Sequence, residues 1–246
     1  FDFVRRAGVA KAYSIVDIEL LDHCIRDELN MTAQRRIAVL DPVKVTVTNY
    51  PEEKVEYFPV ANNPNDPEAG TREVPFTREL YIDREDFAEV PPPKFHRLKP
   101  GGEVRLMGAY IVKLNEIVKD ADGNVIELRC TADLETGNGN PADGRKVKGT
   151  VHWLSADHSK EAAVMLYDKL FTIANTGDIP EDRTYDDYLN RESVKKLTGC
   201  RIEPSLADAK PGERFQFVRT GYFTPDLKNP GVFIRTVTLK DSYKPQ

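Results

Sequence analysis

Residues 215–223 read Phe-Gln-Phe-Val-Arg-Thr-Gly-Tyr-Phe, an aromatic-rich segment with one amide and one guanidinium, the side-chain types that read base edges. By the two-residue strand period Phe215 and Phe217 share one face, which leaves Gln216 and Arg219 as the polar equipment. A regular strand sends those two to opposite faces. Both can serve one ligand only if the strand bulges or ends near Thr220-Gly221. Taken alone, the segment reads as an ordinary barrel strand with two solvated polar residues. Arg35 stands at the junction of a helix and the first strand, where two rigid elements can aim it. Arg97 and Arg105 flank the turn Lys99-Pro100-Gly101-Gly102, and a tight reversal there would bring both guanidiniums to one rim. Read alone, they neutralise nearby acids.

A catalytic set is not indicated. Of the four histidines, His152 and His158 lie six apart around Trp153, a spacing that fits neither a helical zinc pair nor same-face neighbours on a short strand. The sequence has no Gly-rich phosphate cradle ending in Lys-Ser/Thr, no dinucleotide fingerprint and no Gly-x-Ser-x-Gly elbow. The acid-rich run Asp83-Arg84-Glu85-Asp86 reads as surface solvation rather than acid/base chemistry.

The elements that position these residues follow from pattern. With 246 residues and 40% hydrophobic content the chain suits one large or two small domains. No apolar run approaches the roughly 20 residues of a membrane span. The start lacks both a signal-peptide pattern and an initiator Met, and reads as a fragment. Cys24, Cys130 and Cys200 are widely spaced and odd in number, which fits a reducing cytoplasm better than a disulfide framework. The net charge of −5 counts against a simple nucleic-acid reading, so local potential must carry one. Basic residues gather at Arg35-Arg36, from His96 to Arg105 and at Arg145-Lys146-Val147-Lys148, and acids at 52–56, 83–89 and 181–187.

Ser14 and Asp17 resemble a capping box ahead of Ile18, Leu21, Ile25 and Leu29, and so predict an amphipathic helix from Ile15 to about Asn30. Its stripe is expected to pack against segments upstream of Phe1. From Asp41-Pro42 the pattern turns to strands: 43–48, 103–113, 114–118 joined through the Asp120–Asn124 turn to 125–130, then 147–154, 162–168, 200–204, 213–219 and 232–240. Three long polar loops are predicted at 62–71, 135–144 and 175–190. The expected class is mainly β, as barrel or sandwich, and the strand count is compatible with two successive barrels.

Seven segments in order resemble the C-terminal part of the glutaminyl-tRNA synthetase family over essentially the whole chain. They are Cys24 to Asn30, Ala38 to Lys44, Glu103 to Leu106, Gly144 to Gly149 with His152-Trp153, Leu166 to Phe171, Phe215 to Phe223 and Arg235 to Leu239. The resemblance implies two antiparallel β-barrels of the ribosomal-protein-like, anticodon-binding type, preceded by a short helical segment. Residues 1–33 would end a helical subdomain, and 34–246 would form the anticodon-binding region. The family splays anticodon bases into separate pockets. By the motif match Arg35, Gln216 and Arg219 surround the middle base, a uracil. Arg97 takes the third base, a guanine, with Lys94 and His96 around it, and Arg105 lies near the first.

Met107 stands where an arginine is familiar, and implies a first-base pocket that tolerates either pyrimidine. The parent would be a glutamine–tRNA ligase using ATP and Mg. This chain lacks the His-Ile-Gly-His and Lys-Met-Ser-Lys type signatures, so it is expected to bind no cofactor and to be inactive alone. The implied partners are glutamine tRNA and the chain's own upstream catalytic domain, in a cytoplasmic monomer without membrane contact. Alternatives are a glutamyl enzyme of archaeal or eukaryotic type, a ribosomal-RNA-binding barrel or protein-interaction module, and, more distantly, a metal-dependent hydrolase.

Overall fold

The computed structural model describes residues 1–9, 11 and 15–240. Two helices, α1 (Asp2–Ala7) and α2 (Ile18–Thr32), precede the strands β1 (Gln34–Arg36), β2 (Ala38–Val39), β3 (Pro42–Val47), β4 (Glu56–Ala61), β5 (Thr71–Phe76), β6 (Glu79–Asp83), β7 (Glu103–Leu106) and β8 (Ile111–Lys119). There follow β9 (Val125–Asp133), β10 (Thr150–Val151), β11 (Leu154–Ser155), β12 (Lys160–Tyr167), β13 (Val194–Ile202), β14 (Phe215–Phe217), β15 (Gly221–Pro225) and β16 (Val232–Thr238). They form two barrel-like sheets, ordered β10-β7-β8-β9-β3-β6-β11 and β1-β14-β15-β16-β12-β13-β2, with β4 and β5 as a separate hairpin. Most pairs are antiparallel, and β1 with β14, β7 with β10, β3 with β9 and β12 with β16 run parallel.

The barrels are nested rather than successive. The chain lays down β1 and β2 in the second barrel, leaves at Leu40-Asp41 to build the whole first barrel, and returns at β12. The exit is tied, and a second carboxylate links the second barrel to the β4-β5 hairpin. Asp83 at the end of β6 accepts from the Leu40 and Asp41 amides at 2.9 and 3.0 Å. Glu203, 2% exposed, accepts from the Ile37 amide at 2.6 Å and from Arg72 Nε of β5 at 2.7 Å. A buried carboxylate is stable only when charge and hydrogen bonds saturate it; here the amide comes from Ile37 between β1 and β2, and the charge from Arg72 on the β4-β5 hairpin.

The first barrel's core follows the predicted alternation of Val43, Val45 and Val47, all buried with Leu80, Ile82, Leu114 and Leu128. The β4-β5 hairpin closes one end through edge-on aromatic contacts: Phe76 to Trp153 and to Tyr50 at 5.0 Å, and Phe58 to Tyr110 at 5.4 Å. Each such pair contributes roughly 0.5–1.5 kcal/mol beyond its area.

Beneath this cluster Glu56 Oε2 accepts from Tyr110 at 2.7 Å, Lys54 at 3.0 Å and Tyr50 at 3.1 Å. Partial burial works against the Glu56 charge, but these hydrogen bonds prevail and hold its pKa below the ordinary 4.5. Burial, then the bond to Glu56, pushes Tyr110 up to about 12. Glu56 therefore contributes stability that is present above pH 4.5 and lost as pH falls through its lower folded value. Tyr110 contributes stability lost as pH rises from about 10 to 12. In thermal melts across pH, Glu56→Gln is expected to flatten the acid limb; an unchanged acid limb would show that other carboxylates control it.

Helix α2 starts three residues later than predicted, with Asp17 as its cap accepting from the Glu19 amide at 2.9 Å; Ser14 lies outside the described residues. Its stripe packs within this chain, contrary to expectation. Leu29, Ala33 and partly buried Ile25 meet Tyr222 and Val237 on the outside of β15 and β16, while Ile18 stays half exposed. The predicted strand 103–113 is broken at Met107-Gly108, where the Ala109 amide closes a turn on Leu106 O at 2.9 Å and Gly108 takes φ 70°. The predicted strand 147–154 is two short pieces, β10 and β11. No described helix is long and apolar enough to cross a membrane.

Candidate nucleic-acid interface

The junction of the barrels is organised around a carboxylate. Asp86 ends a single 3-10 turn after β6 and is 0% exposed. Arg219 of the second barrel grips it with both terminal nitrogens at 2.7 Å, and Arg97 of the first approaches with Nε at 3.2 Å. Arg97 also donates to the Glu85 carbonyl at 2.9 Å. His152, 2% exposed, has Nδ1 3.3 Å from Arg219 and Nε2 2.8 Å from Asp83. Burial tends to lower the Arg219 pKa, but pairing with Asp86 outweighs it and the pKa is raised. Asp83 and Asp86 are therefore not the solvated surface acids of the sequence reading. Glu85 between them is exposed, which is why the run looks solvated.

The strand condition set by Gln216 and Arg219 is met. β14 ends at Phe217, and the Thr220 amide bonds Phe217 O at 2.9 Å across a turn that holds Arg219 at φ 65°. Left-handed backbone at a non-glycine costs about 1–2 kcal/mol, here offset by the fork to Asp86. Gln216 sits opposite Arg35 in the parallel β1-β14 register and opposite Tyr222 on β15, on the face away from Phe215 and Phe217. Its amide, half-buried, makes no side-chain hydrogen bond among the described residues.

Arg35 is 6% exposed and turned to the helix: it donates to Asn30 O at 2.8 Å, Asn30 Oδ1 at 2.9 Å and Ala33 O at 3.0 Å, covering carbonyls that the last turn of α2 leaves open. Burial lowers its pKa. Arg35→Ala is expected to lower stability by roughly 2–3 kcal/mol, as for buried hydrogen bonds from a charged donor, and to free the end of α2. Urea denaturation with amide exchange at 29–33 checks this, and protection equal to wild type would contradict it.

The turn Lys99–Gly102 forms, with Gly102 N to Lys99 O at 2.8 Å, yet Arg97 and Arg105 engage different partners. Arg105 donates to Gly139 O at 2.6 Å and tethers the 135–144 loop. Arg97 lines a cleft of about 500 Å³ with His96, Lys99, Lys113, Lys146 and Lys148. Two basic clusters distant in sequence meet there because Gly149 lies against the His96 carbonyl, where a Cβ would be only 1.8 Å from the oxygen. Lys94, exposed, occupies the left-handed position (φ 64°) of the turn Pro92–Phe95 at the start of this segment. Met107 packs against the first barrel's core. Sequence reasoning missed Asp83, Asp86 and His152 as orienting groups, and Lys113 as a cleft residue. The acid run offered a signal for the first two, but Lys113 follows only from its register opposite Glu103.

Nested β-barrels with oriented guanidiniums at their junction, an uncommitted amide on the second barrel and a lysine-rich cleft on the first have the side-chain equipment that single-stranded RNA recognition uses. Residues 33–133 and 150–226 match two family models, both described as tRNA synthetases class I (E and Q), anti-codon binding domain, and the chain belongs to this family. It is 51% identical over 246 residues to a glutamine–tRNA ligase of Pseudomonas aeruginosa (strain LESB58), covering 98% of this chain and 44% of that protein. A glutamine–tRNA ligase of Xanthomonas axonopodis pv. citri (strain 306) is 49% identical over 245 residues, covering 98% and 42%. The chain thus spans less than half the length of these relatives.

Proposed function

We propose that this chain is the anticodon-reading region of a glutaminyl-tRNA synthetase, with residues 1–33 ending a helical subdomain and 34–246 forming the reader. The observation that carries the reading is the open amide of Gln216, three residues before Arg219, together with the fork by which the buried Asp86 fixes the Arg219 guanidinium. Asp86 takes two of the five guanidinium N–H groups and His152 Nδ1 stands within reach of a third, which leaves two for a ligand. Uracil presents a carbonyl acceptor where cytosine presents an amino donor, so an arginine N–H favours uracil and opposes cytosine. Gln216, able both to donate and to accept, complements the neighbouring edge.

Arg35 supports this middle-base pocket from β1, Arg97 with Lys94 and His96 takes the third base, and Arg105 holds the loop beside the first. Ligation of glutamine with ATP and Mg belongs to a catalytic portion that acts with this one on the same tRNA. The chain itself fits neither group. It carries no Gly-rich nucleotide-binding loop, and its buried acids Asp83, Asp86 and Glu203 are committed to the Leu40 and Asp41 amides, to Arg97 and Arg219, and to Arg72, so no step of ligation is assigned to its residues. We assign the protein to the cytoplasm, as a monomer.

Gln216→Ala tests the reading. Binding of a glutamine-tRNA anticodon stem-loop is expected to weaken by roughly 1–3 kcal/mol, with no comparable loss for the stem-loop carrying C at the middle position. Equal losses for both would sink the assignment of Gln216 to base reading.

A further inference from the structure

Beyond the base-reading residues, the cleft beside Arg97 has a charge pattern that the rest of the first barrel avoids. Elsewhere on that barrel three of the four lysines are neutralised at close range, Lys44 by Glu79 at 2.6 Å, Lys54 by Glu56 at 3.0 Å and Lys119 by Glu89 at 2.8 Å, and the fourth, Lys94, stands on the segment that leads into the cleft. The cleft's Lys99, Lys113, Lys146 and Lys148 have no carboxylate partner among the described residues. The single acid in its wall, Glu103, is taken by Arg145 at 3.0 Å, although it lies directly across the ladder from Lys113. Arg145 is in turn held by Asp133 at 2.7 Å and Asp143 at 2.9 Å, so local negative charge is gathered on one guanidinium and withheld from the lysines. In a chain of net charge −5 this is a concentrated positive field.

The cleft is also built rather than incidental. Gly149 locks the 145–149 segment against the His96 backbone, and its carbonyl accepts from the Arg105 amide at 2.9 Å, fixing Lys146 and Lys148 opposite Arg97. On the wall formed by Lys113, Lys146 and Lys148, away from Phe95 and His96 where a base could stack, the lining suits a phosphodiester chain better than a base.

We propose that Lys113, Lys146 and Lys148 form a phosphate-binding groove for the ribose-phosphate backbone of the single-stranded loop, next to the base held by Arg97. This rests on the anticodon-reading assignment, and it adds affinity and register without sequence information. The test is the salt dependence of binding of the wild-type chain and of K113Q/K146Q/K148Q to the glutamine-tRNA anticodon stem-loop, with K119Q as the control for charge loss elsewhere.

Each phosphate contact on single-stranded RNA contributes about 0.7 to the slope of log affinity against log salt. The triple variant is expected to lose about two slope units, so that between 50 and 200 mM salt its affinity falls about 16-fold less than wild type, with the preference for U over C at the middle base retained. K119Q should match wild type. A triple variant with the wild-type slope, while wild type still prefers U, overturns the groove and leaves the anticodon reading standing. A reduced slope in a protein that shows no base preference supports the groove and overturns the reading on which it was placed.

Discussion

Asp86→Asn is expected to remove base preference at both the middle and third positions of the anticodon and to destabilise the chain. Among the described residues Asp86 is the one group that touches the guanidiniums assigned to both pockets, with Arg219 at 2.7 Å twice and Arg97 at 3.2 Å. An amide at this position keeps one acceptor but turns N–H donors toward a cation, so the fork opens and Arg219 loses what offsets its left-handed backbone. Breaking a buried ion pair costs about 3–5 kcal/mol; because Arg219 and Arg97 are partly exposed, roughly 2–3 kcal/mol is expected here. Neighbouring Glu85→Gln, on an exposed side chain, should change stability by less than about 0.5 kcal/mol. Urea denaturation measures the first effect, and binding of stem-loops altered at each anticodon position measures the second. An Asp86→Asn protein that folds and still discriminates at both positions would show that Arg219 and Arg97 are oriented by something else.

Gly149→Ala should have a comparable or larger effect by a different route. Its Cβ would sit 1.8 Å from the His96 oxygen, 2.9 Å from the His96 carbonyl carbon and 3.1 Å from Val104, so the obstacle is backbone and no rotamer relieves it. Either the 92–97 segment or the start of β10 must move, carrying His96 and Arg97 out of the cleft. Overpacking against an unyielding wall costs about 3 kcal/mol or more. Gly101→Ala is the comparison: its Cβ meets nothing within 4 Å, and only its φ of 67° opposes the change, for about 1 kcal/mol. Thermal melts should rank the two in that order, and third-base discrimination should fail only in Gly149→Ala. The reverse ranking would mean that the two basic segments are not held together at this contact.

What the sequence made legible is what local physics dictates. Alternation at Val43, Val45 and Val47 gave a half-buried strand, and the Asp120–Asn124 turn gave a hairpin, with Gly123 at φ 86° and Asp120 accepting from the Asn124 amide at 2.8 Å. The nesting was not legible, because it depends on β2 pairing with β13 some 160 positions later, and no local pattern encodes that partner. Strands β4 and β5 were hidden by Pro59 and Pro75, which are tolerated because the hairpin stands apart from both larger sheets.

At the site, residue type was informative wherever chemistry is intrinsic to the side chain, as at Gln216, Arg219 and Arg97. It misled at Asp86, whose preceding neighbours Arg84 and Glu85 are exposed and whose partners Arg97 and Arg219 come from distant segments. The helix stripe failed for a related reason: Leu29 and Ala33 find Tyr222 and Val237, which the sequence places almost 200 residues away.

The central claim is tested most directly by binding of the wild-type chain to a glutamine-tRNA anticodon stem-loop and to the same stem-loop with the middle U changed to C, at two salt concentrations. A preference for U of roughly 1–3 kcal/mol that persists at the higher salt is expected, since it arises from base contacts rather than counterion release. Equal affinities that fall together with salt would contradict the account and reduce the interface to phosphate attraction.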